Sequence, residues 1–390
     1  MHVAHFRQEF STLTETFIYD YVVEMYQQGV DTHFVTLRRV NEDSRPFSNV
    51  TVVERPSRWH PRRLWHRALV PFSERKPLHA EWPLIRDRLE EALREIQPDL
   101  VHAHFGPAGT IIAPVASEKN VPFIVSFHGF DAFKLPDDPF WRDRYETLFG
   151  QASKLTAVSH IMADHLVDIG APEEKIEVIR VGKRLEDYSF LETDSPVRKW
   201  VSVGGSTEKK GHKDCINAFG QLVERFPGSS LDIIGTESQS LRKQIEAKEL
   251  RQNVRLLGQC PHSEVKKRMQ HADGFVLCSK TADDGDREGV PTVLMEAQAI
   301  GLPVVSTMHS GIPEVIPEEN HEFLAPEGDV DGLAERLCRL TTLPSDELTR
   351  IGKKGRKKVE QDFNLSGEVE SLQRIYRSSV RTAMSNGRSG

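Results

Sequence analysis

The strongest constraint on the fold is an alternation of short apolar segments with helical segments that runs through the whole chain. In the first half, residues 100–105 and 122–127 are apolar runs of strand length, and an apolar helical segment, 110–117, lies between them. The second half repeats the scheme, with 231–234, 254–257, 275–278 and 304–306 as strand candidates. Strands that alternate with helices form parallel sheets covered on both faces, so the pattern predicts two doubly wound α/β halves.

The predicted halves give an expected location for a ligand site. A chain of 390 residues exceeds the usual size of one domain, and the polar stretch 183–197, which contains Pro196, is the expected linker. Doubly wound sheets bind ligands beyond the carboxyl ends of their strands, so the cleft between the two halves is the expected site. His128 follows a strand of the first half, and the segment 288–296 belongs to the second.

The segment 288–316 carries the clearest chemistry. Glu288 and Glu296 stand eight positions apart, and Gly289 and Pro291 lie between the first carboxylate and a short predicted helix. A glycine loop that opens into a helix N-terminus presents free N–H groups and a positive dipole end to an anion such as a diphosphate. With Glu288 in the loop and Glu296 on the second turn, both carboxylates can flank one elongated ligand and accept hydrogen bonds from sugar hydroxyls. The alternative is an ordinary loop–helix–strand unit without a ligand.

Composition narrows the function classes. The net charge of −7 argues against nucleic acid as a main partner. The four cysteines form no C-x-x-C pair, which is typical of reduced thiols in a cytoplasmic protein. The first eight residues are short and polar, unlike a signal peptide, and no apolar run approaches the length of a membrane span.

Over nearly its whole length the sequence resembles glycosyltransferase family 4, whose members are retaining, metal-independent enzymes with the GT-B fold. The resemblance rests first on the Glu-x7-Glu pattern at Glu288 and Glu296, then on Lys209-Lys210-Gly211 and on His128 in SFHGFD. The segments STLTETFI and HSGIPEVI resemble the branch that builds bacterial exopolysaccharides of the colanic-acid type.

This resemblance implies a fold, domains and an activity. The expected fold is GT-B, with two doubly wound Rossmann-like domains that face each other across a central cleft. Residues 1–185 would form the acceptor-side domain and 196–362 the nucleotide-sugar domain, and 363–390 would pack back toward the first domain. The expected enzyme is a glycosyltransferase that moves a sugar from a nucleotide-sugar, its co-substrate, to a lipid-linked glycan acceptor without a cofactor. The alternatives are a sugar-nucleotide epimerase and a non-catalytic subunit of a polysaccharide assembly complex.

The resemblance also implies residue roles. Glu296 would hold the ribose, Glu288 would contact the donor sugar, and Lys210 would neutralise the departing diphosphate. His128 would bind donor hydroxyls at the reacting centre. The remaining donor-binding candidates are backbone or phosphate-site positions: Gly289, Val290, Gly204, Gly205, Ser206 and Lys209.

One departure from the family pattern concerns the diphosphate. Gly205 stands where the family usually carries an arginine, so one of two expected cations is missing. The amides of Gly204, Gly205 and Ser206 are a candidate anion nest in its place. Lys183 and Arg184 are further candidate cations for the phosphates.

Two segments raise the question of a metal. His102 and His104 lie on one face of a predicted strand, but no carboxylate or cysteine nearby completes a ligand set, which favours a structural role or a place in the acceptor cleft. The acidic run 283–286 is more typical of a solvated loop than of a cation site. We therefore expect no metal.

Residues 55–76 combine seven basic side chains with two tryptophans. Such a stretch in an acidic protein suits an anionic membrane surface, and a solvated face whose tryptophans pack on the domain is the alternative. We expect a cytoplasmic protein that binds peripherally at the inner face of the cell membrane.

Overall fold

The structure, a computed structural model, describes residues 1–12, 15–54, 59, 61, 64, 77–194 and 196–386. The chain divides into two units. The first unit comprises Met1–Arg180 together with Leu365–Gly390, and the second comprises Val181–Asn364. The expected linker, 183–197, falls within the second unit.

The strands of both units are short and mostly buried, as parallel strands covered by helices must be. In chain order they are β1 His2–Phe10, β2 Asp31–Arg39, β3 Val50–Val52, β4 Leu100–His104, β5 Phe123–Phe127, β6 Lys154–Ala157, β7 Ile176–Val178, β8 Lys199–Val203, β9 Ser230–Ile234, β10 Val254–Leu256, β11 Gly274–Val276, β12 Val304–Thr307 and β13 Leu324–Ala325.

Each unit contains one parallel sheet with a reversal of strand order. Within the described residues, the first sheet has the order β3-β2-β1-β4-β5-β6-β7 and the second has the order β10-β9-β8-β11-β12-β13. The order reverses between β1 and β4 in the first sheet and between β8 and β11 in the second. In a doubly wound sheet this is the point where the carboxyl ends of the strands open a crevice for a ligand.

Helices connect the strands in both units. In chain order they are α1 Thr16–Gln27, α2 Pro77–Ile96, α3 Gly106–Glu118, α4 Phe130–Phe133, α5 Pro139–Gln151, α6 His160–Asp168, α7 His212–Arg225, α8 Gln239–Ala247, α9 His262–Gln270, α10 Thr292–Ile300, α11 Ile312–Val315, α12 Val330–Thr342, α13 Ser345–Asp362 and α14 Leu365–Asn386. Among the described helices, none is both long and apolar enough to cross a membrane.

The last helix, α14, packs in the core of the first unit although it follows the second unit in sequence. Val369 and Tyr376 of this helix cluster with Val3 of β1, Tyr21 of α1 and Ile124 of β5. The second unit has its own core, in which α7 and α12 cover the sheet with apolar faces that include Phe219 and Leu337. Both cores are built from residues that recur at helical or strand spacing, as the sequence pattern predicts.

The predicted α/β fold class with two doubly wound sheets is confirmed, and one helix boundary is wrong. The spacing Thr12-x-x-Glu15 predicts a capping box, but α1 begins at Thr16. The Glu15 carboxylate instead pairs with the Arg7 guanidinium of β1 at 2.7 Å, so a contact with the preceding strand replaces the local cap.

Candidate active site in the second unit

The loop 288–291 and helix α10 place the two glutamates as their spacing predicts. Glu288 lies in the loop and Glu296 lies on the second turn of the helix. Pro291 is the residue before the first helical turn, with an extended backbone. Gly301 ends the helix with φ +100°, where a Cβ would meet the Leu191 carbonyl oxygen at 2.6 Å, so this end requires glycine.

Glu296 is a buried carboxylate held by a lysine and a histidine of the second unit. Its Oε1 accepts from the Lys183 ammonium at 2.5 Å, and its Oε2 lies 3.3 Å from Nε2 of His262. Burial alone would raise the pKa of Glu296, but the charge of Lys183 and the contact with His262 together hold this pKa at about 2. Glu296 is therefore ionised at physiological pH and can only accept hydrogen bonds.

Glu288 forms the second carboxylate–lysine pair of the site. Its Oε1 lies 2.7 Å from Nζ of Lys210, and the side chains are 8% and 18% exposed respectively. Lys210 ends a short 3₁₀ turn, Glu208–Lys210, that follows strand β8. The pair therefore joins the predicted phosphate segment to the predicted sugar-binding loop.

The main chain of Glu288 is held by residues that the sequence reasoning did not select. Its N–H donates to Nε2 of His309 at 3.3 Å, and its carbonyl oxygen accepts from the Ser310 hydroxyl at 2.6 Å. Nδ1 of His309 lies 2.6 Å from a Glu327 carboxylate oxygen. Thr281 donates to the same carboxylate from its N–H and its hydroxyl. The HSGIPEVI segment contains His309 and Ser310, but nothing in the sequence links either residue to Glu288.

The segment 204–211 supplies only part of the predicted anion nest. The Gly204 N–H donates to the Ile234 carbonyl oxygen at 2.9 Å, so this amide is occupied by the sheet. A Cβ added at Gly205 would have no atom within 4 Å. The Ser206 hydroxyl is hydrogen-bonded to the Thr236 hydroxyl at 2.8 Å. Gly204 instead allows the Lys210 side chain to pack close to the backbone, since a Cβ there would meet Cδ of Lys210 at 3.0 Å.

The other predicted donor-binding residues of the second unit lie next to these pairs in the chain. Lys209 pairs with Asp286 at 3.0 Å, which engages one carboxylate of the acidic run 283–286. Gly289 and Val290 are buried between Glu288 and the start of α10. Lys183, a candidate for the phosphates, is instead committed to Glu296.

His128 belongs to the first unit, in the turn after β5. The Asp131 carboxylate fixes this turn by accepting from the N–H groups of His128, Gly129 and Gly106. Burial, with a smaller contribution from Arg7, lowers the pKa of His128 to about 3, so the imidazole is neutral. Both ring nitrogens are buried, and neither has a hydrogen-bond partner among the described residues.

The histidines of the first sheet form a cluster that the sequence shows only in part. His5 of β1 joins His102 and His104 of β4, and one nitrogen from each lies within 4.8 Å of the others. His102 already uses both nitrogens, with the Tyr376 hydroxyl at 2.5 Å and the Ser126 hydroxyl at 2.6 Å. Among the described residues no carboxylate or cysteine joins the group. The donor set therefore fits a buried hydrogen-bond network better than a metal site.

The chain combines two doubly wound units with a loop–helix segment that carries two lysine-paired glutamates, and sequence comparisons assign it to a class of sugar-transferring enzymes. The model of Glycosyltransferase Family 4 matches residues 14–186, and that of Glycosyl transferases group 1 matches 188–358. The putative colanic acid biosynthesis glycosyltransferase WcaL of Escherichia coli is 38% identical over 70% of this chain and 70% of its own length. The amylovoran biosynthesis glycosyltransferase AmsK of Erwinia amylovora is 38% identical over 68% of this chain and 67% of its own. The chain therefore belongs to glycosyltransferase family 4 and is a glycosyltransferase.

Solved structures agree on the fold. The Anabaena protein HepE, in complex with UDP and glucose, aligns with a TM-score of 0.76 at 17% identity, covering 97% of this chain and 100% of its own. Sucrose-phosphate synthase from Thermosynechococcus elongatus aligns with a TM-score of 0.76 at 15% identity, covering 97% and 98%. The predicted GT-B fold is confirmed.

Proposed function

We propose that this glycosyltransferase transfers a sugar from a nucleotide-sugar donor to a lipid-linked glycan during polysaccharide biosynthesis, with retention of configuration and without a metal. The names of the relatives WcaL and AmsK, from colanic acid and amylovoran biosynthesis, support the pathway class. The complexes of HepE with UDP and with UDP-glucose support a nucleotide-sugar donor. The observation that carries the proposal is the placement of two carboxylate–lysine pairs, Lys210–Glu288 and Lys183–Glu296, on one loop–helix segment.

Glu296 is proposed to bind the ribose. Each of its oxygens already accepts one contact, from Lys183 and His262, and a carboxylate oxygen has a second lone pair to offer a hydroxyl. The low pKa keeps the carboxylate ionised, so its bonds to vicinal hydroxyls are charge-assisted. Because Lys183 is engaged here, it supports ribose binding and is not the replacement for the missing phosphate-site arginine.

Lys210 is proposed to neutralise the diphosphate as it leaves. The leaving group gains negative charge in the transition state, and a preorganised cation stabilises that state more than the ground state. Lys210 is held in place by Glu288 at 2.7 Å, and its stem packs on Gly204. Lys209 and the N–H groups of Gly205, Ser206, Gly289 and Val290 are proposed as further contacts with the phosphates and sugar.

Glu288 and His128 are proposed to contact the donor sugar. The resemblance to the family implies that the leaving phosphate helps to deprotonate the acceptor on the face that it leaves, which would give the proposed retention. His128 is neutral because its pKa is low, so it would act as a hydrogen-bond partner for a sugar hydroxyl rather than as a charge. Its two unpartnered nitrogens are suited to that role.

The proposal is tested first by donor binding. A thermal-shift screen with UDP-, GDP- and ADP-sugars should show stabilisation by one nucleotide class, because a ligand that binds only the folded state raises its stability. Calorimetry with that nucleotide then separates the carboxylates. We expect Glu296→Ala to weaken nucleotide binding at least about tenfold, a free-energy loss of about 1.4 kcal/mol, and Glu288→Ala to leave it nearly unchanged while turnover falls.

Two results would contradict this assignment. Unchanged nucleotide affinity in Glu296→Ala removes the ribose role, and full turnover in Glu288→Ala removes the donor-sugar role. Glu264→Ala is a suitable control, because Glu264 is a partly exposed carboxylate of the same unit that pairs with Arg268 on its own helix.

A further inference from the structure

We infer that His309 and Glu327 form a positioning pair that holds the main chain of Glu288 in its working conformation. Neither residue belongs to the predicted site. His309 accepts from the Glu288 N–H, and Glu327 in turn contacts Nδ1 of His309. The inference rests on the proposed role of Glu288.

The hydrogen bonds determine which nitrogen of His309 carries the proton. The Glu288 N–H can only donate, so Nε2 of His309, at 3.3 Å, must accept and cannot be protonated. The single proton of the neutral ring is then on Nδ1, and it is donated to the Glu327 carboxylate at 2.6 Å. Glu327 thus selects the tautomer whose other nitrogen can receive the Glu288 amide.

The arrangement fixes Glu288 from several directions. The His309 ring is 2% exposed, so it has little freedom to rotate. The Ser310 hydroxyl, from the next residue, donates to the Glu288 carbonyl oxygen at 2.6 Å. Thr281 holds the Glu327 carboxylate through its N–H, which donates at 3.0 Å to the oxygen that also contacts His309, and through its hydroxyl, which donates to the other oxygen at 3.1 Å. Glu288 lies in the loop before α10, four residues ahead of the first helical residue, so no helical hydrogen bonds hold its backbone. The bonds from His309 and Ser310 fix the backbone conformation instead.

The pair also makes the backbone hydrogen bond of Glu288 dependent on pH. Protonation of His309 would place a hydrogen on Nε2 and remove the acceptor for the Glu288 N–H. The charged groups that face the ring are Glu327 and Glu288, which favour the protonated form, and Arg287, which opposes it. Burial is the largest influence and lowers the pKa of His309 from its ordinary value, so the neutral form is maintained at neutral pH.

Two near-isosteric variants separate positioning from packing. Gln places an oxygen near the position of Nε2 and can still accept from the Glu288 amide, whereas Asn reaches only as far as Nδ1. We expect His309→Asn to lower kcat at least about tenfold with a donor KM within about threefold, since small displacements in an active site can lower rates about 100-fold. His309→Gln should recover most of that loss. His271→Asn and His271→Gln, at an exposed histidine that contacts its own helix, are the matched controls.

Activity is measured as release of nucleoside diphosphate from whichever UDP-, GDP- or ADP-sugar is turned over fastest. In Glu327→Gln, loss of a charge that raises the His309 pKa should move the acid limb of the kcat profile to lower pH. Long-range ¹H–¹⁵N spectra of histidine-labelled protein, with the His309 signals assigned from His309→Asn, should show an Nδ1–H tautomer.

The outcomes distinguish this inference from the proposed function. If Glu288→Ala is inactive but His309→Asn retains full kcat, the positioning role is wrong while the role of Glu288 stands. An Nε2–H tautomer, or equal losses in His309→Gln and His309→Asn, also overturns the inference. If Glu288→Ala retains full kcat, the proposed function of that residue fails, and the tautomer measurement still decides whether the pair holds its backbone.

Discussion

At the scale of single residues, Lys210 carries the largest share of the proposed chemistry. The position of the family arginine is occupied by Gly205, and Lys183 is engaged with Glu296. We predict that Lys210→Ala lowers turnover by more than about tenfold, or about 1.4 kcal/mol of transition-state stabilisation, with a smaller effect on nucleotide affinity. Steady-state rates of nucleoside diphosphate release measure this.

The matched control is Lys213→Ala, since Lys213 is exposed on the first turn of α7, three positions further along the chain. A Lys210→Ala rate within about tenfold of wild type would show that another group neutralises the diphosphate. Gly205→Arg offers a second check, because a Cβ at this position meets no atom within 4 Å and the family cation can be added back. Partial recovery in Lys210→Ala/Gly205→Arg is expected.

The Lys183–Glu296 pair gives a prediction about stability. Both side chains are almost completely buried, at 6% and 4% exposed. Lys183→Met leaves a buried carboxylate without its main partner, which typically destabilises a protein by about 3–5 kcal/mol. Lys183→Met/Glu296→Gln removes both charges and should recover much of that loss. Denaturant unfolding of the wild type, both single variants and the double variant gives a double-mutant cycle. Additive losses of stability in the double variant would contradict direct coupling between the two side chains.

The pH dependence of this pair has a definite sign. The pKa of Glu296 is lowered from its ordinary value of 4.5 to about 2, so its ionised form is stabilised in the folded state. The contribution is complete above about pH 4.5 and is lost as the pH falls through 2. Acid unfolding of Glu296→Gln, relative to its own stability at neutral pH, should therefore be less steep than that of the wild type.

At the scale of elements, the segment 204–211 depends on two glycines in different ways. Gly211 has φ +63° and a Cβ there would lie 1.7 Å from the Cys278 carbonyl oxygen, whereas Gly205 has open space around it. We predict that Gly211→Ala destabilises the protein by at least about 1–2 kcal/mol and displaces Lys210, while Gly205→Ala changes stability by less than about 0.5 kcal/mol. Thermal unfolding and turnover of the two variants measure the difference, and equal effects would contradict it.

The acidic segment 283–286 tests the expectation that no metal is needed. Asp286 is paired with Lys209 at 3.0 Å, and within the described residues this segment belongs to no group of three metal-binding side chains. We predict that EDTA leaves activity unchanged, because Lys210 and the amides at the start of α10 are proposed to provide the positive charge for the diphosphate. Activity that EDTA abolishes and magnesium or manganese restores would contradict this and would identify a metal requirement.

Local patterns predict much of the fold and of the site, and contacts between distant residues explain what they miss. Buried strands such as Phe123–Phe127 and the loop–helix position of Glu296 follow from periodicity and turn residues. The strand Leu324–Ala325 is too short to show a period. Lys183 falls in a polar stretch that the sequence indicates as a linker, but it pairs with a residue 113 positions away. No local pattern encodes such a pairing.

At the scale of the whole molecule, the same limit applies to the histidines of the first sheet. The sequence shows His102 and His104 as neighbours on one strand, but His5 joins them only because β1 pairs with β4. The Tyr376 hydroxyl that binds His102 comes from α14, 274 positions along the chain. The C-terminal helix thus completes the core of the first unit, so removal of α14 should expose apolar and polar groups of that sheet together.

The final prediction concerns the binding that we propose to a membrane surface. Residues 55–76 contain seven basic side chains and two tryptophans, and of this segment the structure describes only positions 59, 61 and 64. Trp59 is 80% exposed and Leu64 is 44% exposed. The rest of the segment lies outside the described residues, so the argument for it comes from composition.

The magnitudes favour reversible binding to anionic lipid. Each basic residue near an anionic leaflet contributes about 1 kcal/mol, and the attraction is screened beyond about 10 Å at 0.1 M salt. Several of them acting together would outweigh the repulsion expected from a net charge of −7. Tryptophan rings are most stable at headgroup depth, which adds an apolar contribution that salt does not screen. The first unit would then present the acceptor side of the enzyme to a lipid-linked glycan.

Co-sedimentation with vesicles measures this directly. We predict binding to vesicles that contain phosphatidylserine at low salt, release at about 1 M salt, where the screening length falls to about 3 Å, and little binding to phosphatidylcholine alone. Arg62, Arg63 and Arg67 changed together to Glu should abolish the binding. The control is a second triple change to Glu at Arg242, Lys243 and Lys248, which are exposed on and just after α8. This variant alters the net charge equally and should still bind the vesicles. If both triple variants sediment like the wild type, the basic segment is a solvated face, and the enzyme must reach its acceptor by another surface.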